Sequence, residues 1–268
     1  MKNSTKIALA ALGGAAGIGL LLYMIHISKR EFTYSFNDGK EAGLEFYDYQ
    51  SDEKLKTFGT ASSGASWNAV GGALKVTTSG ADWSLVAVSP PTGEKDNLKY
   101  LDANNLSLET KFLIDNFDTF NQVTFVAEVR DGQRRYGGGV QYVYDFWEGA
   151  QPRWRIWEAF DHMQSGVPGA EGNGYWVDIP LGNVLLEEHV LYTMYLELNP
   201  HGNYTKMTLA EAGTIICNYD LSLIQCKPNP PEDPANLRPP ALAFALEVSN
   251  LKGGATAVYF DNVVFRAS

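Results

Sequence analysis

From Phe32 onward apolar and polar residues alternate with a period of two, as in Leu191-Tyr192-Thr193-Met194-Tyr195-Leu196-Glu197-Leu198, and long stripes of period 3.6 are scarce. Successive side chains of an extended backbone point to opposite faces, so this pattern builds half-buried strands and not helices. Strands are predicted at Ala73 to Ser79, Trp83 to Ser89, Ser107 to Asp115, Gln122 to Arg130, Val140 to Trp147, Arg153 to Phe160, Val190 to Asn199, Tyr204 to Ala210, Thr214 to Tyr219, Ala241 to Val248 and Ala255 to Phe265. More than about ten strands at this spacing require two packed sheets or a barrel, which makes the domain all-β. Arg130-Asp131-Gly132-Gln133 and Asn199-Pro200-His201-Gly202-Asn203 have the composition of hairpin connections.

The exception lies at the start. Ile7 to Ile27 runs for twenty-one positions without Asp, Glu, Lys or Arg, which as a helix covers roughly 31 Å and matches the hydrocarbon core of a bilayer. A cleaved signal ends in small residues, whereas this run closes on the bulky Leu20-Leu21-Leu22-Tyr23-Met24-Ile25-His26-Ile27. The reading is one uncleaved transmembrane helix in residues 1–30, tethering a single β domain of residues 31–268. Lys2 and Lys6 on one flank are matched by Lys29 and Arg30 on the other, so flanking charge does not orient it. Gly13 and Gly17 would let two such helices pack closely, or are simply tolerated in the span.

Of 21 Lys and Arg residues only Lys2 and Lys6 precede Lys29, which leaves 19 basic against 31 acidic residues in the remainder, a balance of −12. That sign argues against nucleic acid as a partner and against a peripheral grip on anionic lipid, so the expected membrane contact is Ile7-Ile27 alone. Cys217 and Cys226 lie nine positions apart, with no zinc-type spacing. They form either a local disulfide, contributing roughly 2 to 3 kcal/mol in the chain-entropy estimate, or two buried thiols. The triplets Asn105-Leu106-Ser107 and Asn203-Tyr204-Thr205 fit glycosylation sequons and favour an extracytoplasmic location for the soluble domain. Two stretches interrupt the strands and are expected as surface loops: Asp161 to Gly174, and Lys227 to Pro240 with six of the twelve prolines.

Phe36-Asn37-Asp38-Gly39, Trp67-Asn68-Ala69-Val70-Gly71-Gly72-Ala73-Leu74-Lys75-Val76 and Val258-Tyr259-Phe260-Asp261-Asn262-Val263-Val264-Phe265 together resemble concanavalin A-like lectin/glucanase domains. The order of strands from Leu191 to Ile216 agrees with it. The resemblance implies a two-sheet antiparallel jelly-roll sandwich, with the last strand beside the first and a concave sheet that binds glycans. It also implies a structural calcium ion near the first and last strands, for which Asp38 and Asp261 are the matching carboxylates; calcium takes about six to eight oxygen ligands. The Glu-x-Asp-x-x-Glu strand of the family's glucanases is absent from this sequence.

The residues themselves point to the same use of a sheet face. In Arg153-Trp154-Arg155-Ile156-Trp157-Glu158 alternation puts Arg153, Arg155 and Trp157 on one face. Gln122, Thr124, Glu128 and Arg130 form a polar face on one earlier strand, with Gln141, Asp145 and Trp147 on the next. An indole stacks on the apolar side of a pyranose while Arg, Gln and carboxylates bond its hydroxyls. Trp67, Trp83 and Trp154 are expected in the core, and Trp176 at the rim of the Gly-rich loop. The function expected is glycan binding at the cell surface. Two alternatives stay open: a structural or adhesion subunit that self-associates into a coat or filament, and a glycoside hydrolase using carboxylates from neighbouring strands such as Glu128, Asp145 and Glu158.

Overall fold

The computed structural model describes residues 31–39, 43–81, 84–89, 105–130, 135–144, 151–158, 175–181, 184–199, 204–223, 241–250 and 253–267. These residues form seventeen strands in two sheets, every pair antiparallel. The first sheet runs β15 (Thr214–Asp220), β14 (Tyr204–Glu211), β13 (Tyr192–Leu198), β8 (Leu106–Ile114), β17 (Ala257–Ala267), β6 (Ala73–Thr77), β5 (Ser66–Val70) and β4 (Gly59–Thr60), with β1 (Glu31–Tyr34) also paired to β17. The second runs β12 (Tyr175–Asp178), β11 (Arg153–Glu158), β10 (Arg135–Val143), β9 (Phe120–Arg130), β16 (Ala241–Asn250), β7 (Ser84–Ser89), β2 (Glu45–Asp48) and β3 (Glu53–Leu55). The all-β class expected from the alternation is therefore observed, and of the two arrangements it left open the two-sheet sandwich is the one formed, with β17 beside β1 as the resemblance implied.

One core fills the space between the sheets. The strand β13 alternates buried and half-buried residues without a break, and its buried set meets side chains from across the sandwich. Phe112 of the first sheet lies edge-on to Phe125 of the second at 5.0 Å between ring centroids, and Tyr34 meets Phe244 in the same way at 5.3 Å. Each such ring contributes roughly 1.5–3 kcal/mol by leaving water. Trp67 and Trp154 are in this core, as expected; Trp83 lies outside the described residues.

Tyr204 ties the two sheets at one point. It rises from β14, its hydroxyl accepts the Gly139 N–H at 2.9 Å and donates to the Trp157 carbonyl at 2.8 Å, so one core phenol fixes β10 against β11. The backbone of Gly138 passes beneath the ring, where a Cβ would collide with the Tyr204 phenol.

Three expectations are modified. The strand predicted at Val140 to Trp147 occupies Arg135–Val143 instead, because Gly137-Gly138-Gly139, poor strand formers by composition, are used where Tyr204 needs room. Tyr175–Asp178 and the five strands β1 to β5 are strands that the alternation did not mark. The Asp261-Asn262 pair makes a bulge: Asn262 sits at φ 48° and the register with β8 shifts between Asp261 and Val264. The run Ile7–Ile27 and both predicted loops lie outside the described residues, among which no helix is long and apolar enough to cross a membrane.

Burial pushes the Tyr142 phenol up to about 12, and burial together with the Glu197 carboxylate does the same to Tyr195, whose hydroxyl donates to Glu197 Oε2 at 2.5 Å. Both shifts favour the neutral, folded-state phenol. An unfolded tyrosine loses its proton near pH 10, so between about pH 10 and 12 the unfolded chain binds fewer protons than the folded one. Stability from these groups is full below pH 10 and lost as pH rises to 12. Alkaline titration followed by phenolate absorbance and circular dichroism should show these two phenols ionising only as the sheets unfold; their free titration in a folded protein would contradict the packing.

Candidate functional site

The two outer faces of the sandwich differ. On the first sheet the outward side chains Lys111, Thr193, Tyr195, Glu197, Thr208 and Tyr259 are half-buried and Ser107 is buried at 8% exposed. On the second sheet Thr124, Gln141 and Ser249 also point away from the core, since Val123, Phe125, Val140, Tyr142 and Val248 take the inner positions, yet they are 0%, 2% and 1% exposed. These three polar positions are closed to solvent, whereas Gln122, Arg155, Trp157 and Glu247 on the same face stay half-buried.

Strand pairing arranges this face in rows. Asp178, Arg155, Gln141, Thr124 and Glu247 stand side by side on β12, β11, β10, β9 and β16. With strands ~4.8 Å apart this row is about 19 Å long. It continues through Ala87 and Tyr47 to Lys54, where Lys54 and Glu45 pair at the sheet edge. Gln141 Nε2 donates to Thr124 Oγ1 at 3.1 Å, which holds the centre of the row in one orientation.

The rows on either side differ in character. Trp157 and Trp176 are register partners two residues along, their rings edge-to-face at 5.2 Å and 71°. Beside them Gly139 presents no side chain; a Cβ there would touch Val126 and lie 3.7 Å from the Trp176 ring. Val126 and Ala245 continue this apolar floor on β9 and β16. On the other side come Arg153, Val143, Gln122 and Ser249, with Asn121 donating to Ser249 Oγ at 3.1 Å and to Gln122 Oε1 at 3.4 Å.

Of the residues predicted from sequence, Gln122, Gln141, Arg153, Arg155 and Trp157 come together on this one face of three adjacent strands. Glu128 and Arg130 hold register positions farther along β9, opposite Gly137 and Arg135. Asp145 and Trp147 lie outside the described residues, past the end of β10. Thr124, which the alternation had also placed on this face, stands with them, and Asp178, Ser249 and Glu247 complete it; for Glu247 the signal was present, because it alternates with Leu246 and Val248. Asp178 closes a strand of four residues, too short for a period to show.

Charge on the face is concentrated on β11. Arg153 Nε and Arg155 Nε lie 3.2 and 3.4 Å from the same oxygen, Asp178 Oδ1. Arg155 Nε is buried, and its contact with Asp178 lacks the geometry of a hydrogen bond. Asp178 and Glu247, the described carboxylates of this row, are four strands apart, about 19 Å, against the roughly 5–9.5 Å between the two carboxyl groups in glycoside hydrolysis.

Asp38 and Asp261 are the two carboxylates expected to hold calcium. Asp261 accepts at one oxygen from the Asn262 amide (2.8 Å) and at the other from Asn262 Nδ2 (3.0 Å), which stabilises the β17 bulge. Asp38 lies exposed in the turn closed by the Gly39 N–H to Phe36 carbonyl bond. Among the described residues no group of three or more His, Cys, Asp or Glu side chains is placed to hold an ion. Cys217 is buried in β15 and desolvation pushes its thiol up; Cys226 lies outside the described residues.

No protein-family model matches this chain, and no curated protein matches it. Among solved structures it is similar to peanut lectin with a nine-residue peptide, at 11% identity and TM-score 0.46 over 89% of this chain and 97% of that one. It is similar also to the alginate lyase from Klebsiella pneumoniae, at 10% identity and TM-score 0.42 over 84% and 95%. A third is the xylan beta-1,4-xylosidase from Bacillus halodurans C-125, at 12% identity and TM-score 0.47 over 88% of this chain but 38% of that enzyme.

Proposed function

We propose that this protein is a membrane-tethered glycan-binding domain whose ligand lies along the outer face of the second sheet, on the extracytoplasmic side. The observation that carries the reading is the adjacency of two unlike rows: a polar row in which Arg155 and Glu247 stay half-buried while Gln141 and Thr124 between them are closed to solvent and, about 7 Å along the strands, the Trp157-Trp176 pair beside the bare backbone of Gly139. A sugar ring has the same two-sided chemistry, an apolar C–H face and an edge of hydroxyls, so an indole and a line of fixed donors and acceptors address it at once. The tether rests on Ile7–Ile27, and the outward location on the two sequons.

The test is an oligosaccharide array probed with the full chain in a detergent that carries no sugar headgroup, since a glycosidic detergent would compete. Binding to a defined set of glycans is expected, with Trp157→Ala weakening it by about tenfold or more while the circular dichroism spectrum stays unchanged. An array without signal would remove the reading. The scaffold alternative draws on β15, an edge strand that exposes Ile215 (63%) and Ile216 (39%). Stable oligomers in sedimentation together with an empty array would put it first.

A further inference from the structure

The chain enters the sandwich at Glu31, four residues after the apolar run ends at Ile27. Four residues reach at most about 14 Å when fully extended. With Ile7–Ile27 in a bilayer, Glu31 is held within about that distance of the lipid.

Strand registers tell which part of the molecule this is. Glu31 lies opposite Arg266 on β17, Arg266 and Ala267 opposite Ser107 and Leu106 on β8, Leu106 opposite Leu198 on β13, and Leu198 opposite Tyr204 on β14. All of them are at one end of the first sheet. Ile114, Tyr192, Glu211 and Thr214 are at the other. The nine residues of β8 separate the two ends by about 27 Å, about twice what four residues can span, so the molecule cannot be turned over on its membrane. Nor can it rest on β15, which is four strands from β17, about 19 Å. Arg266 fastens the entry point: its Nε donates to Glu31 Oε2 at 2.7 Å and its Nη1 to Glu109 Oε2 at 3.1 Å, which ties β1 to β17 and β8 in the middle of the sheet.

We infer that the sandwich stands end-on upon its own membrane, with the end that carries Glu31, Asn105 and Tyr204 against the lipid surface and the β14–β15 turn outermost. This rests on the tether reading above and adds to it the surface that meets the bilayer. The second sheet follows the first. Tyr204 bonds to Gly139 and Trp157 towards the membrane end, while at the outer end Thr119 Oγ1 donates to the Ala255 carbonyl at 3.1 Å and Thr256 Oγ1 to the Asn116 carbonyl at 3.2 Å. The Trp157-Trp176 row therefore lies nearer the bilayer than the Gln122-Arg153 row, and a sugar chain laid along either row runs parallel to the membrane. The exposed side chains of Leu191 and Ile215 are at the outer end, away from that bilayer.

The test places a fluorescent amino acid at Asn105, Lys206 or Thr214, all exposed, in the full chain reconstituted into phosphatidylcholine vesicles that carry nitroxide on a fraction of their headgroups. The first two positions are at the membrane end and the third at the outer end, so two independent variants report the near side if one folds poorly. Labels at Asn105 and Lys206 should lose most of their fluorescence and the label at Thr214 should keep it. A Gly/Ser linker of about ten residues inserted after Arg30 adds about 17 Å of reach and should even out the three. Vesicle-bound protein quenched as strongly at Thr214 as at Asn105 and Lys206 would overturn the end-on stance and leave the tether standing. A chain that does not float with the vesicles in a density gradient would overturn both.

Discussion

Gly138→Ala is expected to destabilise the protein by roughly 3 kcal/mol, lowering its melting temperature by roughly 10 °C, although the substitution adds a single methyl group and favours the strand by composition. The added Cβ would occupy the space of the Tyr204 phenol. That ring cannot step aside, because it is wholly buried and its hydroxyl is held by the Gly139 N–H and the Trp157 carbonyl. The check is chemical denaturation of Gly138→Ala, Tyr204→Leu and the double variant. The two costs should be far from additive, with the double variant more stable than Gly138→Ala alone. Additive costs would mean that the residues do not meet. Since the same phenol sets the backbone of Trp157, Tyr204→Leu should also weaken glycan binding, although no atom of Tyr204 is on the binding face.

Trp154→Ala should cost about 3–5 kcal/mol, the loss of a core indole 2% exposed, packed 5.0 Å from Tyr142 and donating to the Val184 carbonyl at 3.0 Å. Three residues along the same strand, Trp157→Ala should cost about 1 kcal/mol of stability, the value of its edge-to-face contact with Trp176, and should fall instead on ligand binding. The pair of substitutions separates the two faces of β11 with one experiment. A Trp157→Ala variant that unfolds as readily as Trp154→Ala would place Trp157 in the core and take the site with it.

Much of this was legible in the chain. Alternation marked eleven strands, separated Trp154 and Ile156 from Arg153, Arg155 and Trp157, and placed Gln122 and Thr124 opposite Val123 and Phe125, because the side-chain period of an extended backbone is two wherever that backbone lies. It misplaced β10, where glycine carries no such signal and the strand exists because Tyr204 of the other sheet needs its bare backbone. The short strand that delivers Trp176 and Asp178 had no period to read.

The sequence by itself determined the all-β class, the two-sided character of the longer strands and the one lipid-length apolar run. Only the tertiary structure decided which strands became neighbours. Glu247 stands beside Thr124, and Arg155 beside Gln141, through backbone pairing between segments far apart in the chain. Facing is a local property of a strand, whereas adjacency and shelter from water are set by long-range hydrogen-bond registers, and a binding face requires both.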